Sequence, residues 1–316
     1  MQHSYTLLAP AKINLYLEII GDRPDGFHEL VMILQSISLC DRLHLHPNGR
    51  EQFRIFCSSE QVPSDQTNLA YKAAQLMRQQ FPQHFANYGG VDITIEKNIP
   101  VAAGLAGGSA NAAAVLVGID LIWKLGLTLS ELQTLAAQLG SDVPFCLSGG
   151  TAIATGRGEK LDSIQPLENL WLVLAKYNNL AVSTAWAYQT YRQQFYDTYM
   201  RDDQRINQRT KQIHSGPLVS AIIHKESAKI GQLLHNDLEK VVLKEYPTYV
   251  AQLRETMQRM GGLGTMMSGS GPSVFTLCES ASQAKQIQKS VFEAIPDPNL
   301  GIWLAQLVNT GISVQS

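Results

Sequence analysis

The glycine-rich stretch at residues 99–114, IPVAAGLAGGSANAAA, has the composition of a loop that binds phosphate groups. Gly104, Gly107 and Gly108 have no side chains, so a ligand can approach the backbone closely there. The alanine-rich residues that follow predict a buried helix from about 109 to 125. The first amides of a helix have no partners within it, and with the positive end of the helix dipole they favour a di- or triphosphate.

This loop differs from two common phosphate-binding sequences. No GK[ST] follows the glycines, as it would in a Walker P-loop, and the spacing is not that of the dinucleotide fingerprint GxGxxG. Taken alone, the glycines fit a tight turn before a packed helix equally well. Pro100 and the whole GLAGGSA string favour phosphate binding. Ser109 is predicted to cap the helix, and its hydroxyl could also face the phosphates or a metal ion.

Three stretches in this order resemble the motifs of the GHMP kinases, the superfamily of galactokinase, homoserine kinase and mevalonate kinase. They are PAKINLYLEI near the start, residues 100–110, and MMSGSGPSVF at residues 266–275. Their variants, together with RPDGFHEL, SDVPFCLSGGTAIATGRGE and VSTAWAY, resemble the branch whose substrate is a cytidine diphosphate sugar alcohol. The resemblance covers nearly the whole chain, with residues 191–216 the main unmatched part. It implies an ATP-dependent kinase that acts on a small-molecule alcohol and uses Mg²⁺.

Two charged residues are catalytic candidates by this resemblance. Lys12 and Asn14 lie on the polar face of a predicted strand, where a lone lysine is usually just solvated. The resemblance places Lys12 in the active site, where its charge offsets that of the transferring phosphoryl group. It makes Asp142 the base that accepts the proton of the substrate hydroxyl, although an aspartate before a proline is often a cap or turn residue.

The resemblance also implies the substrate contacts. His28 reads the cytosine edge, Phe27 stacks on its ring, and Asn14 adds a hydrogen bond near the reacting centre. His28 could equally be a turn histidine with a satisfied hydrogen bond. Tyr188, in VSTAWAY, is a candidate for the opposite face of the cytosine, with packing in the core as an equal alternative.

The ATP-binding residues implied by the resemblance are those of the glycine loop and two weaker candidates, Asn68 and Lys97. Lys97 could equally be a solvated strand end. Asn111 stands where most members of the family have Asp. The asparagine can still form hydrogen bonds, but it lacks the negative charge. The glycine-loop residues are Pro100, Val101, Ala102, Ala103, Gly104, Leu105, Ala106, Gly107, Gly108, Ser109 and Ala110.

The metal ligands are not identified. His44 and His46 share a strand face but have no third ligand nearby, which favours ordinary exposed histidines.

Hydrophobic periodicity predicts the elements that must position these residues. Residues 11–19 alternate between apolar and polar and predict a half-buried strand, which the turn GDRPDG ends. Thr128 and Glu131 have the spacing of a capping box, and Gly140 suits a helix stop. Further strands are predicted at 31–39, 43–46, 53–57, 91–97, 170–175, 273–278 and 301–307, and helices at 68–80, 130–139, 219–235, 246–260 and from 282.

The resemblance implies an α+β fold of two domains with the active site in the cleft between them. A composition shift near residues 160–170 predicts their boundary, with an ATP-binding domain at 1–165 and a ferredoxin-like substrate domain at 166–316. Residues 191–216 are polar and without a clear period, which predicts an insertion on the surface that could be mobile.

Composition is that of a compact globular protein rather than a disordered one, and the net charge predicts no global attraction to nucleic acid or anionic lipid. Hydrophobic residues make up 45% and charged residues 16% of the 316, and the formal net charge is -2. Four cysteines without a CxxC pair fit a reducing compartment. The start of the chain shows no secretory signal, so a cytoplasmic protein is expected, although a mature plastid protein would look the same. A monomer and a homodimer both remain open.

Two classes of rival function share these features. Homoserine kinase, mevalonate kinase and diphosphomevalonate decarboxylase are enzymes on the same scaffold, but the pair Phe27–His28 suits a flat base that their substrates lack. A sensor of sugars or nucleotides without catalytic activity would need neither Lys12 nor Asp142.

Overall fold

The computed structural model describes residues 3–315 as two antiparallel-rich sheets with helices packed against them. The alternating residues near the start belong to a long strand β1 (Tyr5–Asp22), which pairs with an equally long β2 (His28–Pro47). The two strands predicted at 31–39 and 43–46 are therefore one strand with an irregularity. The half-buried prediction for residues 11–19 is wrong, because Lys12 and Asn14 are also buried, beneath the loop at residues 268–271.

The larger sheet has eight strands. Its main path runs β12-β1-β2-β4-β3, with β5 on the other half of β2, β6 on β5, and β8 on β1. The last strand, β12, returns the end of the chain to β1. Besides β1 and β2 the strands are β3 (Arg54–Cys57), β4 (Val91–Glu96), β5 (Thr151–Gly156), β6 (Lys160–Ser163), β8 (His235–Asn236) and β12 (Ser313–Val314).

Helices cover this sheet around the alanine-rich α3, which is buried along most of its length. Small residues let the helix approach the sheet: a Cβ at Gly118 would lie 2.4 Å from a methyl group of Leu45. The predicted capping box of Thr128 and Glu131 is confirmed at the start of α4. The helices are α1 (Leu69–Gln80), α2 (Pro82–Tyr88), α3 (Gly107–Trp123), α4 (Leu129–Leu139) and α5 (Val143–Ser148).

The smaller sheet confirms the ferredoxin-like prediction. Its strand order is β11-β7-β10-β9, and every neighbouring pair is antiparallel. In chain order this is a βαββαβ arrangement, with α12 between the third and fourth strands. The strands are β7 (Trp171–Tyr177), β9 (Gly264–Met267), β10 (Val274–Cys278) and β11 (Leu300–Gln306).

In the described part of the chain seven α-helices accompany the smaller sheet, and a π-helical turn over Pro247–Ala251 precedes one of them. The helices are α6 (Thr184–Phe195), α7 (Asp203–His214), α8 (Pro217–Ile223), α9 (Ser227–Gln232), α10 (Glu239–Glu245), α11 (Gln252–Arg259) and α12 (Ala281–Ala294).

One prediction in this half is wrong. Residues 219–235 do not form one helix: α8 and α9 are separated at Lys225, which has a positive φ of 56°, and His235 already belongs to β8. Residues 191–216, predicted as an insertion on the surface, contain the last turn of α6 and all of α7. That helix contacts the protein through Arg209, the partly buried Ile206 and the buried Ile213. Within residues 3–315, no helix combines the length and apolar composition needed to cross a membrane.

Candidate active site

A cleft of about 940 Å³ lies where the two sheets meet. Elements of both halves line it: the glycine loop, the start of α5 and the turn after β1 on one side, and the start of α6 and the loop at 269–270 on the other. Every candidate catalytic, ATP-binding or substrate-binding residue from the sequence lines this cleft except Ala110. Ala110 is buried inside α3, where its amide bonds the carbonyl of Ala106 at 2.9 Å.

The glycine loop turns sharply into α3. Ala102 and Ala106 both have positive φ values, 50° and 56°, and α3 begins at Gly107 directly after Ala106. The prediction that Ser109 caps the helix is wrong, because Ser109 lies inside its first turn and Ala106 holds the cap position. The Ser109 side chain instead lines the cleft and is partly exposed. The first amides of α3 thus face a space where phosphate groups fit.

The third glycine stretch closes against the first. The Ser268 hydroxyl donates to the carbonyl of Gly104 at 3.2 Å, and the Ser270 and Thr184 hydroxyls lie 2.8 Å apart. Asn236 fixes this loop from below, since its amide donates to the carbonyls of Met267 and Gly269 at 2.8 Å each. Sequence reasoning missed Asn236, which it placed just beyond a helix; an asparagine in the string HNDLE gives no periodic signal.

Replacing Gly104 with Ala should open this contact between the two loops. Gly104 has a φ of 73°, and a Cβ there would lie 2.2 Å from the carbonyl oxygen of Ser268. We expect a stability loss of about 1–3 kcal/mol from the forced shift and a fall in kcat/KM for ATP. Gly126→Ala is the matched control, because Gly126 has a similar φ of 70° but nothing within 4 Å of an added Cβ. Equal melting temperatures for the two variants would contradict the close approach.

Lys12 and Asp142 meet at the centre of the cleft. The Lys12 ammonium lies 3.7 Å from the Asp142 carboxylate and donates to the Asn14 side chain at 2.8 Å. The backbone amide of Lys12 also donates to the carbonyl of Leu105 at 3.1 Å, which ties the glycine loop to β1. Asp142 precedes α5, but its side chain makes no capping bond. A buried cation and a 30% exposed carboxylate therefore face the same space as the glycine loop.

A fully buried carboxylate, Asp41, supports the loop from beneath, and sequence reasoning missed it as well. It accepts hydrogen bonds from the Lys97 ammonium at 2.7 Å and the Asn111 amide at 2.8 Å. It also accepts the backbone amides of Asn98 and Ile99 at 2.8 Å each. The alternative of a solvated Lys97 is wrong, because its side chain is 6% exposed. Burial lowers the pKa of Lys97, and the Asp41 carboxylate opposes that effect.

This network explains why an uncharged residue stands at position 111. Asn111 supplies an N–H donor to Asp41, whereas an aspartate there would face a second carboxylate. At the neighbouring end of the cleft, Asn68 caps α1 by accepting from the amide of Ala70 at 2.8 Å and donates to the carbonyl of Pro63 at 2.6 Å. Its amide thus positions the segment around Pro63, which also lines the cleft.

The far end of the cleft is aromatic. The His28 and Tyr188 rings lie 5.2 Å apart, and Phe27 beside them is 49% exposed. Burial, and secondarily the charge of Arg192, lowers the pKa of His28 to about 4. Within residues 3–315 no hydrogen-bond partner reaches the buried His28 Nε2, so the alternative of a satisfied turn histidine does not fit. A flat heterocycle could stack here and meet an unpaired ring nitrogen.

His44 and His46 are engaged in hydrogen bonds across strands. His44 bonds Thr6 and Glu96 at 2.9 Å each, and His46 bonds Ser4 at 2.6 Å. They lie outside the cleft residues.

Comparison with known proteins identifies the family to which the chain is similar. Family profiles for the GHMP kinases N terminal domain and the GHMP kinases C terminal match residues 68–150 and 214–297. The 4-diphosphocytidyl-2-C-methyl-D-erythritol kinase of Gloeothece citriformis is 69% identical over 313 residues, covering 99% of both chains. That of Microcystis aeruginosa is 64% identical over 312 residues, again covering 99% of both.

Solved structures agree on the fold. A crystal structure of 4-(cytidine 5'-diphospho)-2C-methyl-D-erythritol kinase is 30% identical with a TM-score of 0.71, covering 96% of this chain and 98% of that one. A homoserine kinase from Cytophaga hutchinsonii gives a TM-score of 0.73 at 18% identity, covering 100% of this chain and 98% of that one. Since this kinase and the homoserine kinase resemble the fold of the chain about equally well, the fold alone does not identify the substrate.

Proposed function

This chain belongs to the GHMP kinases, and we propose that it transfers the γ-phosphoryl group of ATP to the 2-hydroxyl of 4-diphosphocytidyl-2-C-methyl-D-erythritol. The observation that carries this proposal is the unpaired, buried His28 nitrogen beside Tyr188, in the same cleft as Lys12 and Asp142. A cleft that offers both a base-sized aromatic end and a cation–carboxylate pair suits a nucleotide-bearing alcohol. Relatives that are 69% and 64% identical carry this enzyme's name. The activity would belong to the non-mevalonate route to isoprenoid precursors.

Asp142 and Lys12 would act on the acceptor hydroxyl. The partly exposed Asp142 carboxylate accepts the hydroxyl proton as the oxygen attacks phosphorus. The Lys12 ammonium, 3.7 Å away, stabilises the charge that develops on the transferring group. Asn14 holds that ammonium in place through its side-chain oxygen. The glycine loop and the first amides of α3 would hold the ATP phosphates.

The oxygen donors of the cleft fit a Mg²⁺ ion that arrives with ATP. Mg²⁺ usually keeps several waters and is bound largely through the substrate phosphates. The Ser109 hydroxyl lines the cleft and would be a protein ligand, which leaves the Asp142 carboxylate to act as the base. When bound, the ion would neutralise charge on the phosphates. Among the described residues no group of three His, Cys, Asp or Glu side chains could hold a metal ion, which suits a site completed by the nucleotide.

A panel of acceptors tests the proposal against its rivals. Initial rates would be measured with ATP and each of the cytidine-bearing substrate, the same sugar phosphate without cytidine, homoserine and mevalonate. We expect turnover with the cytidine-bearing substrate alone. Turnover on homoserine or mevalonate would overturn the substrate assignment, and ATP binding without turnover on any acceptor would favour a sensor.

The KM for the cytidine-bearing substrate should be nearly independent of pH from about pH 5.5 to about pH 8. The folded-state pKa of His28, about 4, lies below the ordinary value of 6.5, so the neutral ring predominates throughout this window. The contribution of the buried, neutral His28 to the free energy of unfolding is fully present above pH 6.5, and it is lost as the pH falls towards the folded-state pKa. A KM that rises sharply as the pH falls through 6.5 would contradict a neutral His28 in the base site.

A further inference from the structure

The polar segment at residues 191–216, which the family motifs do not cover, packs against the outer end of β1. The amide of Met200 donates to the carbonyl of Ile20 at 2.8 Å. The Arg209 guanidinium on α7 donates to the Glu18 carboxylate at 2.9 Å. Gly21 permits the approach, because a Cβ there would lie 2.6 Å from the Met200 carbonyl oxygen. The segment therefore lies directly behind the strand that leads into the turn carrying Phe27.

Arg192, at the start of this segment, joins the two walls of the aromatic end of the cleft. It follows Tyr188 by four residues on α6, so the two side chains project from the same helix face. Its Nε donates to the Asp22 carboxylate at 2.8 Å, and its Nη2 donates to the carbonyl of Gly26 at 3.0 Å. One guanidinium thus connects the helix that carries Tyr188 to both ends of the turn before His28.

That turn is internally fixed by its own hydrogen bonds. The amide of Arg23 donates to the carbonyl of Phe27 at 3.0 Å, and the amide of Phe27 donates to the Asp25 side chain at 3.1 Å. The Arg23 guanidinium bonds Asp25 at 3.1 Å and Glu29 at 2.7 Å. These bonds hold the shape of the turn, whereas its position relative to α6 depends on contacts between the two, such as those of Arg192.

Tyr199 supports His28 from the side of the same segment. Its ring meets the His28 ring edge-on at 5.9 Å and stacks with Tyr191 at 6.2 Å. Tyr199 is 7% exposed, and within residues 3–315 no hydrogen-bond partner reaches its hydroxyl. The contribution of Tyr199 is therefore the position of its ring rather than a polar contact.

We propose that Arg192 and Tyr199 are positioning residues for substrate recognition: they hold the turn with Phe27 and His28 at a fixed distance from Tyr188 and so set the width of the base site. The inference rests on the proposed function, because it assigns these residues to recognition of the cytidine group. It gives residues 191–216 a role in specificity.

The expected effect is on substrate binding rather than on the chemical step. Without the Arg192 link, the turn and α6 would have to be ordered when the substrate binds. Ordering one long side chain of this kind corresponds to roughly 2- to 12-fold weaker binding. Neither residue touches the Lys12–Asp142 pair in the structure's contacts, so kcat should be retained.

The test compares Arg192→Gln, Arg192→Lys and the control Arg205→Gln, with KM and kcat for the cytidine-bearing substrate and for ATP. Arg205 lies on α7 of the same segment and is exposed, so the control removes an equal charge without the link. Arg192→Gln should raise the KM for the cytidine-bearing substrate roughly 2- to 12-fold and leave the KM for ATP and kcat unchanged. Arg192→Lys, which can bond one of the two oxygens, should give an intermediate value. Arg205→Gln should match the unaltered protein.

Tyr199 variants and a binding measurement complete the design. Tyr199→Phe should change nothing, because the hydroxyl makes no hydrogen bond to the described residues, whereas Tyr199→Leu should raise the same KM. The double variant with Asp22→Asn and Arg192→Gln should raise the KM for the cytidine-bearing substrate no more than Arg192→Gln alone does. The dissociation constant of the cytidine-bearing substrate, measured by calorimetry without ATP, separates two failures. If the unaltered protein does not bind it, both the proposed function and this inference fall; if unaltered and Arg192→Gln proteins bind it equally, only this inference falls.

Discussion

Asp142→Asn is expected to lower kcat by roughly 10²–10⁴-fold while leaving the affinity for ATP unchanged. The asparagine keeps the size of the side chain but cannot accept the proton of the acceptor hydroxyl. The Asp142 side chain makes no capping hydrogen bond to α5, so that helix does not depend on its charge, although the buried Lys12 ammonium loses its counter-ion. The Lys12 ammonium would keep its hydrogen bond to Asn14 and stay in the cleft.

Steady-state rates and ATP binding by calorimetry would measure this effect. Asp162→Asn is the matched control, because Asp162 is 65% exposed on β6 and lies outside the cleft residues. The control should retain normal kcat and ATP affinity. Turnover of Asp142→Asn within a few-fold of the unaltered enzyme would remove Asp142 as the base. An equal loss of ATP binding would assign the residue to nucleotide binding instead.

Asp41→Asn is expected to destabilise the protein by about 3–5 kcal/mol, because it leaves a buried cation without its counter-ion. Asp41 accepts hydrogen bonds from four donors, including the Lys97 ammonium, and is fully buried. The asparagine would also present N–H groups to some of those donors. Since the Lys97 ammonium donates to the carbonyl of Ile99 as well, the loss should loosen the start of the glycine loop.

Thermal unfolding with and without ATP would measure both consequences. Glu293→Gln is the control: it breaks the pair between Glu293 and Lys289, whose side chains are 63% and 77% exposed, and exposed pairs contribute little to stability. In Asp41→Asn, raising the pH should restore part of the stability, because burial lowers the pKa of Lys97 and its neutral form costs less to bury. Similar melting temperatures for the two variants would show that Asp41 does not stabilise the glycine loop.

Local signals in the sequence predicted the elements whose stabilisation is local. The capping box of Thr128 and Glu131 and the helix after Asn68 depend on residues within one turn, and both were found. The glycine loop was recognised because its string is a motif. The cap of α3 was misassigned, since the left-handed Ala106 that begins it carries no sequence signal.

The residues that sequence reasoning missed act over long distances. Asp41 bonds donors 56 to 70 residues away, and Asn236 bonds carbonyls 31 and 33 residues away. A single polar residue in an apolar or charged string looks like a surface residue until its partners are known. α7 was missed for the same reason: Arg209 attaches it to Glu18, 191 residues earlier in the chain. Predicting such elements requires the tertiary contacts themselves.

The site of phosphorylation on the product tests the central claim most directly. After incubation of the protein with ATP and 4-diphosphocytidyl-2-C-methyl-D-erythritol, the new phosphate ester would be examined by ³¹P NMR with proton coupling retained. The carbon at position 2 carries a methyl group and no hydrogen, so the account predicts a new monoester signal without coupling to a carbinol proton. A signal split by carbinol protons would place the phosphate on another hydroxyl, and the absence of any new ester would contradict the proposed function itself.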